Sequence, residues 1–371
     1  MFNGNVSRYV RAIGHPEAAA KAIGAGSLGR IEPYGRADAL RSAEGFKVVE
    51  LNTSSAVGGY WISQAGSSLM HRGDFGAFAS RNTVDFTDSI EMLVRRLRRL
   101  ASSVVGTSSP LVALVEEDES GFRAHGAASN LKDYGVTVEH VELKDISSRE
   151  DGKILIHQET PIDLVLRYFL ARDVQRTPDG LDKLNMLING HQRGKTAFFT
   201  PLDSDIVEPK SALALLYEPT VWQILSADEQ DAIQRRIPVT RMIQTGHFGD
   251  AFGIEPDSLA AVKDEWVLKP FNGNGGEGVV LGSETTTEEW HEHLHRMRNM
   301  PYVAQQRVWS LPEELIDPEN GQREQWRVHY GIFYSQEGYQ GGIAGGAPVT
   351  ESAIMAPGAS VFRRACIFSC G

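Results

Sequence analysis

Arg36, Asp38, Glu50 and Asn52 are side chains whose types and spacing could do chemistry together. Each pair is two positions apart, and a strand alternates its side chains with a period of two, so Arg36 shares a face with Asp38, and Glu50 with Asn52. Residues Phe46 to Leu51 are apolar and β-branched enough to read as such a strand, and the polar, glycine-ended stretch from Ala39 to Gly45 reads as a hairpin turn. A hairpin folds Asp38 back beside Glu50. Asp38, Glu50 and Asn52 then present three hard oxygen donors, a set that suits Mg²⁺, which commonly shares its coordination shell with substrate phosphates. The planar guanidinium of Arg36 on the same face could neutralise the charge of a phosphoryl group in transfer.

A second informative stretch runs from Glu265 to Gly282. A strand ending in Lys269 and Pro270 enters a loop with Gly273, Gly275, Gly276 and Gly278, and Val279 to Leu281 reads as a returning strand. Rossmann and Walker loops open a helix, whereas this is strand, glycine-rich turn, strand. Such a hairpin can fold over a triphosphate, its backbone N–H groups approaching where a Cβ would interfere. Lys269 would add a point charge toward the phosphates.

The first pattern resembles the metal-binding signature of the circularly permuted ATP-grasp ligases, the group that contains glutathionylspermidine synthetase. That family carries Arg-x-Asp on one strand and Glu-x-Asn on the next, with twelve residues from Asp to Glu, as Arg36, Asp38, Glu50 and Asn52 do here. The resemblance implies an α/β (α+β) fold: a circularly permuted ATP-grasp with an inserted Rossmann-like subdomain. Its parts would be residues 1–105 as the metal-binding portion, 106–200 as the Rossmann-like substrate subdomain and 201–371 as the nucleotide-binding lobes.

The resemblance also implies ATP and Mg²⁺, with Asp38, Glu50 and Asn52 as metal ligands and Arg36 as the catalytic cation. Glu208 to Leu216 is similar to the family's first-lysine helix start and places Lys210 at the nucleotide, beside Lys269, Gly273, Asn274, Gly275 and Gly276. Tyr302 to Val308 is similar to the strand along the adenine edge, which assigns Gln305, Gln306 and Val308, although Gln306 stands where many relatives have an acidic residue. Thr53, Ser54 and Ser55 match hydroxyl residues that contact the acyl substrate, while an ordinary Ser/Thr turn explains them equally well. Residues Trp326 to Tyr334 and Tyr339 to Ile343 would pair as strands completing the nucleotide subdomain. Relatives carry a late basic residue that Gly342 to Pro348 lacks, and Arg327 is the substitute on offer.

The activity implied is an ATP-dependent carboxylate–amine ligation through an acyl phosphate, in amino-acid, peptide or natural-product biosynthesis. The substrates would be small-molecule or peptide carboxylates and amines. A small-molecule kinase and an inactive nucleotide-binding scaffold are the competing readings. The first cysteine is Cys366, so an amidase fused ahead of the ligase is not expected.

The elements that must position these groups come from an ordinary globular composition of 371 residues, 41% hydrophobic and 23% charged. A net charge of −11 supplies no basic stripe for nucleic acid. No apolar run reaches membrane length and no signal-peptide pattern opens the chain, so the cytoplasm is the expected compartment and a homodimer stays open. Cys366 and Cys370 read as an incidental frayed tail. Asn5 to Ala25 reads as helix split at Pro16, and Asp85 to Ala101 as an amphipathic helix with Ile90, Leu93, Val94, Leu97 and Leu100 on its apolar stripe. Between hairpin and helix lies a Gly-rich link. Strands are expected at Pro110–Glu116, Thr137–Leu143, Lys153–Gln158 and Leu164–Leu170, with a helix over Gly121–Tyr134, a doubly wound unit of about 90 residues. A helix is expected from Lys210 to Leu225. The P-loop-like Gly190 to Thr196 fails on spacing and context, and His291, His293 and His295 read as a solvated helix face.

Overall fold

A computed structural model describes residues 6–117, 122–244, 253–273, 275–317, 319–354 and 362–370. The hairpin forms from Gly35–Ser42 and Gly45–Asn52, with only Ala43 and Glu44 in the turn, so the strands run further than the polar composition of Ala39 to Gly45 suggested. Its register carries the main lesson. From Ser42 paired with Gly45 up to Ala39 paired with Val48 the ladder is regular, and then a bulge shifts it, pairing Asp38 with Glu50 and Arg36 with Asn52. Without the bulge Asp38 would face Val49, and Glu50 would point to the opposite side of the sheet. The bulge puts all four polar side chains on one face.

That hairpin is the edge of an antiparallel sheet ordered Arg363–Cys366, Gly338–Pro348, Arg323–Ser335, Gly35–Ser42, Gly45–Asn52. The paired strands at 323–348 therefore join the sheet of the Gly35–Asn52 hairpin and not the sheet of Lys269, where they had been expected. Asp38 lies opposite Gly331, whose missing side chain is needed: a Cβ there would lie 2.8 Å from Arg36 Cδ.

A parallel sheet ordered Ala197–Phe199, Leu164–Arg167, Leu111–Glu116, Thr137–Glu142 forms the Rossmann-like unit. Its central strands are apolar up to their last residues, Arg167 and Glu116, as expected where both faces are covered. The strand expected over Lys153–Gln158 shrinks to Ile154–Ile156 and leaves this sheet for a small antiparallel one, because His157 and Gln158 turn the chain with φ of 50° and 67°. The third sheet, Gly253–Ile254, Thr240–Ile243, Tyr302–Gln306, Trp266–Pro270, Val280–Leu281, holds the glycine-rich hairpin.

Helix Ser89–Val105 ties the first two sheets together. Asp88 caps it by accepting from the Ile90 and Glu91 amides, and Gly106 ends it at φ 78°. Its buried Ile90, Leu93, Val94 and Leu97 share one core with Val112 and Leu166 of the parallel sheet and Phe333 and Ile343 of the antiparallel sheet. Elsewhere the sequence reading needs adjustment. The Gly-rich link contains helices Ser63–His71 and Gly73–Arg81. The helix from Lys210 stops at Leu215 and resumes over Pro219–Trp222, since Pro219 offers no N–H to continue it. Cys366 and Cys370 lie in strands, not a frayed tail, and Cys366 Sγ bonds the Ile62 carbonyl. Among the described residues no helix is long and apolar enough to cross a membrane.

Candidate active site

The three sheets converge on a cavity of about 1240 Å³. The polar face of the bulged hairpin forms one wall. Arg36 grips Asp38 with two parallel bonds, Nε to Oδ1 at 2.5 Å and Nη2 to Oδ2 at 2.8 Å, and its Nη1 donates to the Gly58 carbonyl at 2.5 Å. Burial works against the guanidinium charge, but Asp38 and Glu50 outweigh it and hold Arg36 above its ordinary pKa. Asn52 Nδ2 donates to Asp38 Oδ2 at 3.2 Å.

Opposite this wall, Lys210 starts its helix with its amide bonded to the Phe271 carbonyl, just past the end of the Lys269 strand. Lys210 Nζ lies 2.8 Å from Glu50 Oε1 and 2.9 Å from the Gly273 carbonyl. Lys269 Nζ donates to Gln305 Oε1 at 2.7 Å and approaches the Val49 carbonyl at 3.4 Å. Val49 is the residue at the bulge, so the irregularity that aligns the carboxylates also turns a carbonyl toward the second lysine. Burial, foremost, brings Lys269 down to about 8, with Lys210 adding repulsion and the Glu50 and Asp38 carboxylates opposing.

Gly273, Gly275 and Gly276 line the cavity from the glycine-rich loop; Asn274 lies outside the described residues. Gly276 has φ 82°, and a Cβ on it would come within 2.9 Å of Ile354. Gln305, Gln306 and Val308 line the same cavity. Gln305 is buried, its amide clasping Lys269 and Thr240 Oγ1, while Gln306 is exposed.

The hydroxyl trio divides. Thr53 Oγ1 donates to the Ser204 carbonyl at 2.7 Å, and Ser55 Oγ bonds the Arg167 carbonyl and Thr200 Oγ1, so both are spent on packing against the Rossmann-like unit. Ser54 alone of the three lines the cavity. Thr53 and Ser55 thus turn away from the cavity, their buried hydroxyls on acceptors of the neighbouring segments.

Can these residues hold a magnesium–nucleotide? Two carboxylates and an amide oxygen within one hairpin match a hard cation that keeps part of its shell for phosphate oxygens. Among the described residues no group of three or more His, Cys, Asp or Glu side chains is placed to hold a metal, so a cation here would need the Asn52 amide or the phosphates to complete its shell. Two lysines and a glycine-rich loop face the same space, and the donor set fits.

The comparisons bear on this geometry at the level of fold. No protein-family model and no curated protein matches the chain. Among solved structures, a glutathione synthetase-like effector from Globodera pallida is similar with a TM-score of 0.53 at 12% identity, over 93% of this chain and 82% of that one. A candidate γ-glutamylcysteine synthetase from Methylobacillus flagellatus KT is similar with a TM-score of 0.50 at 10% identity, over 98% and 87%. The fold is similar to that of glutathione synthetase-like proteins.

Several cavity residues escaped the sequence reading. Across the antiparallel sheet, Leu40, His329, Gly345 and Arg364 form a row of directly paired positions. His329 is kept below its ordinary pKa by burial, against the pull of Asp38, and its ring stacks on Phe362 at 5.7 Å. Arg327 reaches the cavity but its Nη1 is held by the Val349 and Glu351 carbonyls, each at 2.7 Å, so Arg364 is a second basic group at this end. Arg307 stacks on Trp309 at 3.8 Å near the expected adenine edge. From the far side come Glu208, Tyr168 and Arg172. Glu208 had a signal, its place two residues before Lys210; Leu40, His329, Gly345 and Arg364 come from strands far apart in sequence, and Tyr168 and Arg172 from the chain after the Leu164–Arg167 strand, so that only the tertiary fold reveals their convergence.

Proposed function

We propose that this chain is an ATP-dependent carboxylate–amine ligase of circularly permuted ATP-grasp type, joining an acid and an amine through an acyl phosphate. One observation carries the reading: Glu50, Lys210 and Lys269, from three distant parts of the sequence, face one cleft, with Lys210 Nζ 2.8 Å from Glu50. Residues 1–105, 106–200 and 201–371 serve as metal-binding, substrate and nucleotide parts, the strands at 323–348 reaching back to the first.

In this reading Lys210 and Lys269 hold the phosphates of ATP, and the glycine-rich hairpin closes over them to exclude water. Magnesium held by Asp38, Glu50 and Asn52 would offset phosphate charge. Arg36 stands where the equatorial oxygens of the transferring group gain charge. The substrate carboxylate attacks the γ-phosphorus and displaces ADP; the amine then attacks the acyl carbon, and phosphate leaves as the amide forms. Arg36 stabilises the oxyanion of that second step.

The test is a pairwise screen of amino acids and short peptides with ATP and magnesium, reading ADP release and the mass of any condensed product. A ligase releases ADP only when acid and amine are both present. Release with a single acceptor and a stable phosphorylated product would replace this reading with a kinase. Asp38→Ala and Glu50→Ala should abolish turnover with melting behaviour retained, and a variant that keeps its rate removes that residue from the metal site.

A further inference from the structure

The end of the cavity beneath the Rossmann-like unit contains two opposite charges that neighbouring groups leave over. Glu208 lines the cavity, and among the described residues its carboxylate has no hydrogen bond or ion pair. Its neighbours are otherwise engaged: Asp205 is bound to Arg167 at 2.8 Å, and Glu50 to Lys210 at 2.8 Å. Arg172 lines the same cavity with 46% of its side chain exposed, and its ion pair is a 4.0 Å approach to Asp173. That carboxylate is already taken, by Arg176 at 2.7 Å and by the Leu170 amide at 3.0 Å.

The Ala171 amide, next to Arg172, bonds the Asp205 carboxylate at 2.9 Å and so brings the stretches that carry Arg172 and Glu208 together. Arg167, and after it Arg172, offset part of the upward pressure that burial, first, and Asp205, second, exert on the Glu208 carboxyl. Glu208 and Arg172 still do not pair. Two unlike charges that open onto one space without bridging it are complemented by a ligand that carries both signs a short distance apart. A plain polyamine would leave Arg172 facing a cation, and a plain dicarboxylate would leave Glu208 facing an anion.

We propose that this end of the cavity seats the amine substrate as an α-amino acid, its ammonium on the Glu208 carboxylate and its carboxylate on the Arg172 guanidinium. The proposal rests on the ligase reading for its chemistry: Glu208 stands two residues before Lys210, whose Nζ holds Glu50 at 2.8 Å, where an activated acid would form. Tyr168 and Leu170 line the cavity at this end. Tyr168 is fixed by a 3.1 Å bond between its hydroxyl and that of Tyr60.

Binding tests it without turnover. Saturation-transfer NMR on the whole chain, with magnesium and a non-hydrolysable ATP analogue, is run against the proteinogenic α-amino acids, their amides and their N-acetyl derivatives. At least one free amino acid should bind, with affinity reduced about tenfold or more by Glu208→Gln, by Arg172→Gln, by amidation and by acetylation. The blocked ligands act on the unaltered protein, so the result stands even if a variant folds poorly. An amide or N-acetyl derivative that binds as well as the free amino acid overturns the zwitterion, and binding that survives both substitutions overturns the site. If no amino acid binds, the proposal falls while the ADP-release screen still decides the ligase reading; if that screen fails while an amino acid binds in this way, the site stands and the ligase reading falls.

Discussion

Arg167 and Asp205, like Arg36 and Asp38, form an arginine–aspartate pair with a contact of 2.8 Å, yet the two pairs are built for different work. Arg167 and Asp205 expose 0% and 3% of their side chains, and every side of the pair is occupied by protein. Arg167 also donates to the Thr200 and Phe169 carbonyls and to Ser204 Oγ, and the second oxygen of Asp205 accepts the Ala171 amide. Arg36 and Asp38 expose 16% and 15%, face a large cavity and sit beside a second carboxylate and an amide. A buried pair with no spare valence is part of the framework. A pair that faces a cleft can exchange its partners for a ligand.

The contrast breaks most decisively at the buried pair. Asp205→Ala leaves the Arg167 guanidinium without its counter-charge in a dry interior, and it should cost about 3–5 kcal/mol of folding stability by denaturant unfolding. A loss below about 1 kcal/mol would mean that the interior solvates the pair better than its geometry implies.

At the cleft the same chemistry should show in rate and not in stability. Arg36→Ala should lower kcat by about 10³-fold with ATP affinity little changed, as expected of a cation that acts mainly on the charge of the transition state. If the variant instead unfolds as readily as Asp205→Ala while turnover persists, the two pairs are alike and Arg36 leaves the mechanism.

How much of this difference the sequence could tell follows from what local patterns encode. The strand period showed that Arg36 and Asp38 share a face, as do Glu50 and Asn52, and the apolar stripe of Ile90, Leu93, Val94 and Leu97 marked the connecting helix. The bulge at Asp38 and Ala39 was invisible, since a one-residue slip leaves no trace in alternation, although it decides whether the two halves of the hairpin point the same way. Pairing of Gly35–Ser42 with Arg323–Ser335 was also out of reach, because sheet neighbours distant in sequence are chosen by tertiary packing. Arg167 stood in an apolar strand without drawing notice; its partner Asp205 is supplied by a turn that only the fold brings near.

Lys269 sharpens the comparison through pH. Its pKa, lowered by burial to about 8, sits below the ordinary lysine value of 10.5, so in the unliganded protein this group contributes stability that is present above pH 10.5 and is lost as pH falls through about 8. Nucleotide phosphates favour the charged form, so binding above pH 8 must take up a proton. Affinity for ATP should therefore fall by about tenfold per pH unit beyond pH 8, with proton uptake visible in calorimetry across buffers of different ionisation enthalpy. Lys269→Arg should flatten that dependence. A wild-type profile flat from pH 7 to 10 would take Lys269 away from the phosphates.

The smallest effect concerns Thr53, one residue beyond Asn52 and yet on the framework side of the boundary. Its hydroxyl is buried and donates to the Ser204 carbonyl at 2.7 Å, in the same turn that carries Asp205. Thr53→Val keeps the shape, removes the donor and leaves that carbonyl short of a partner, which should cost about 1 kcal/mol. Michaelis constants for acid and amine should not move. If they rise while stability holds, the hydroxyl reaches substrate in the proposed ligase, and the line between framework and chemistry shifts one residue further along the chain.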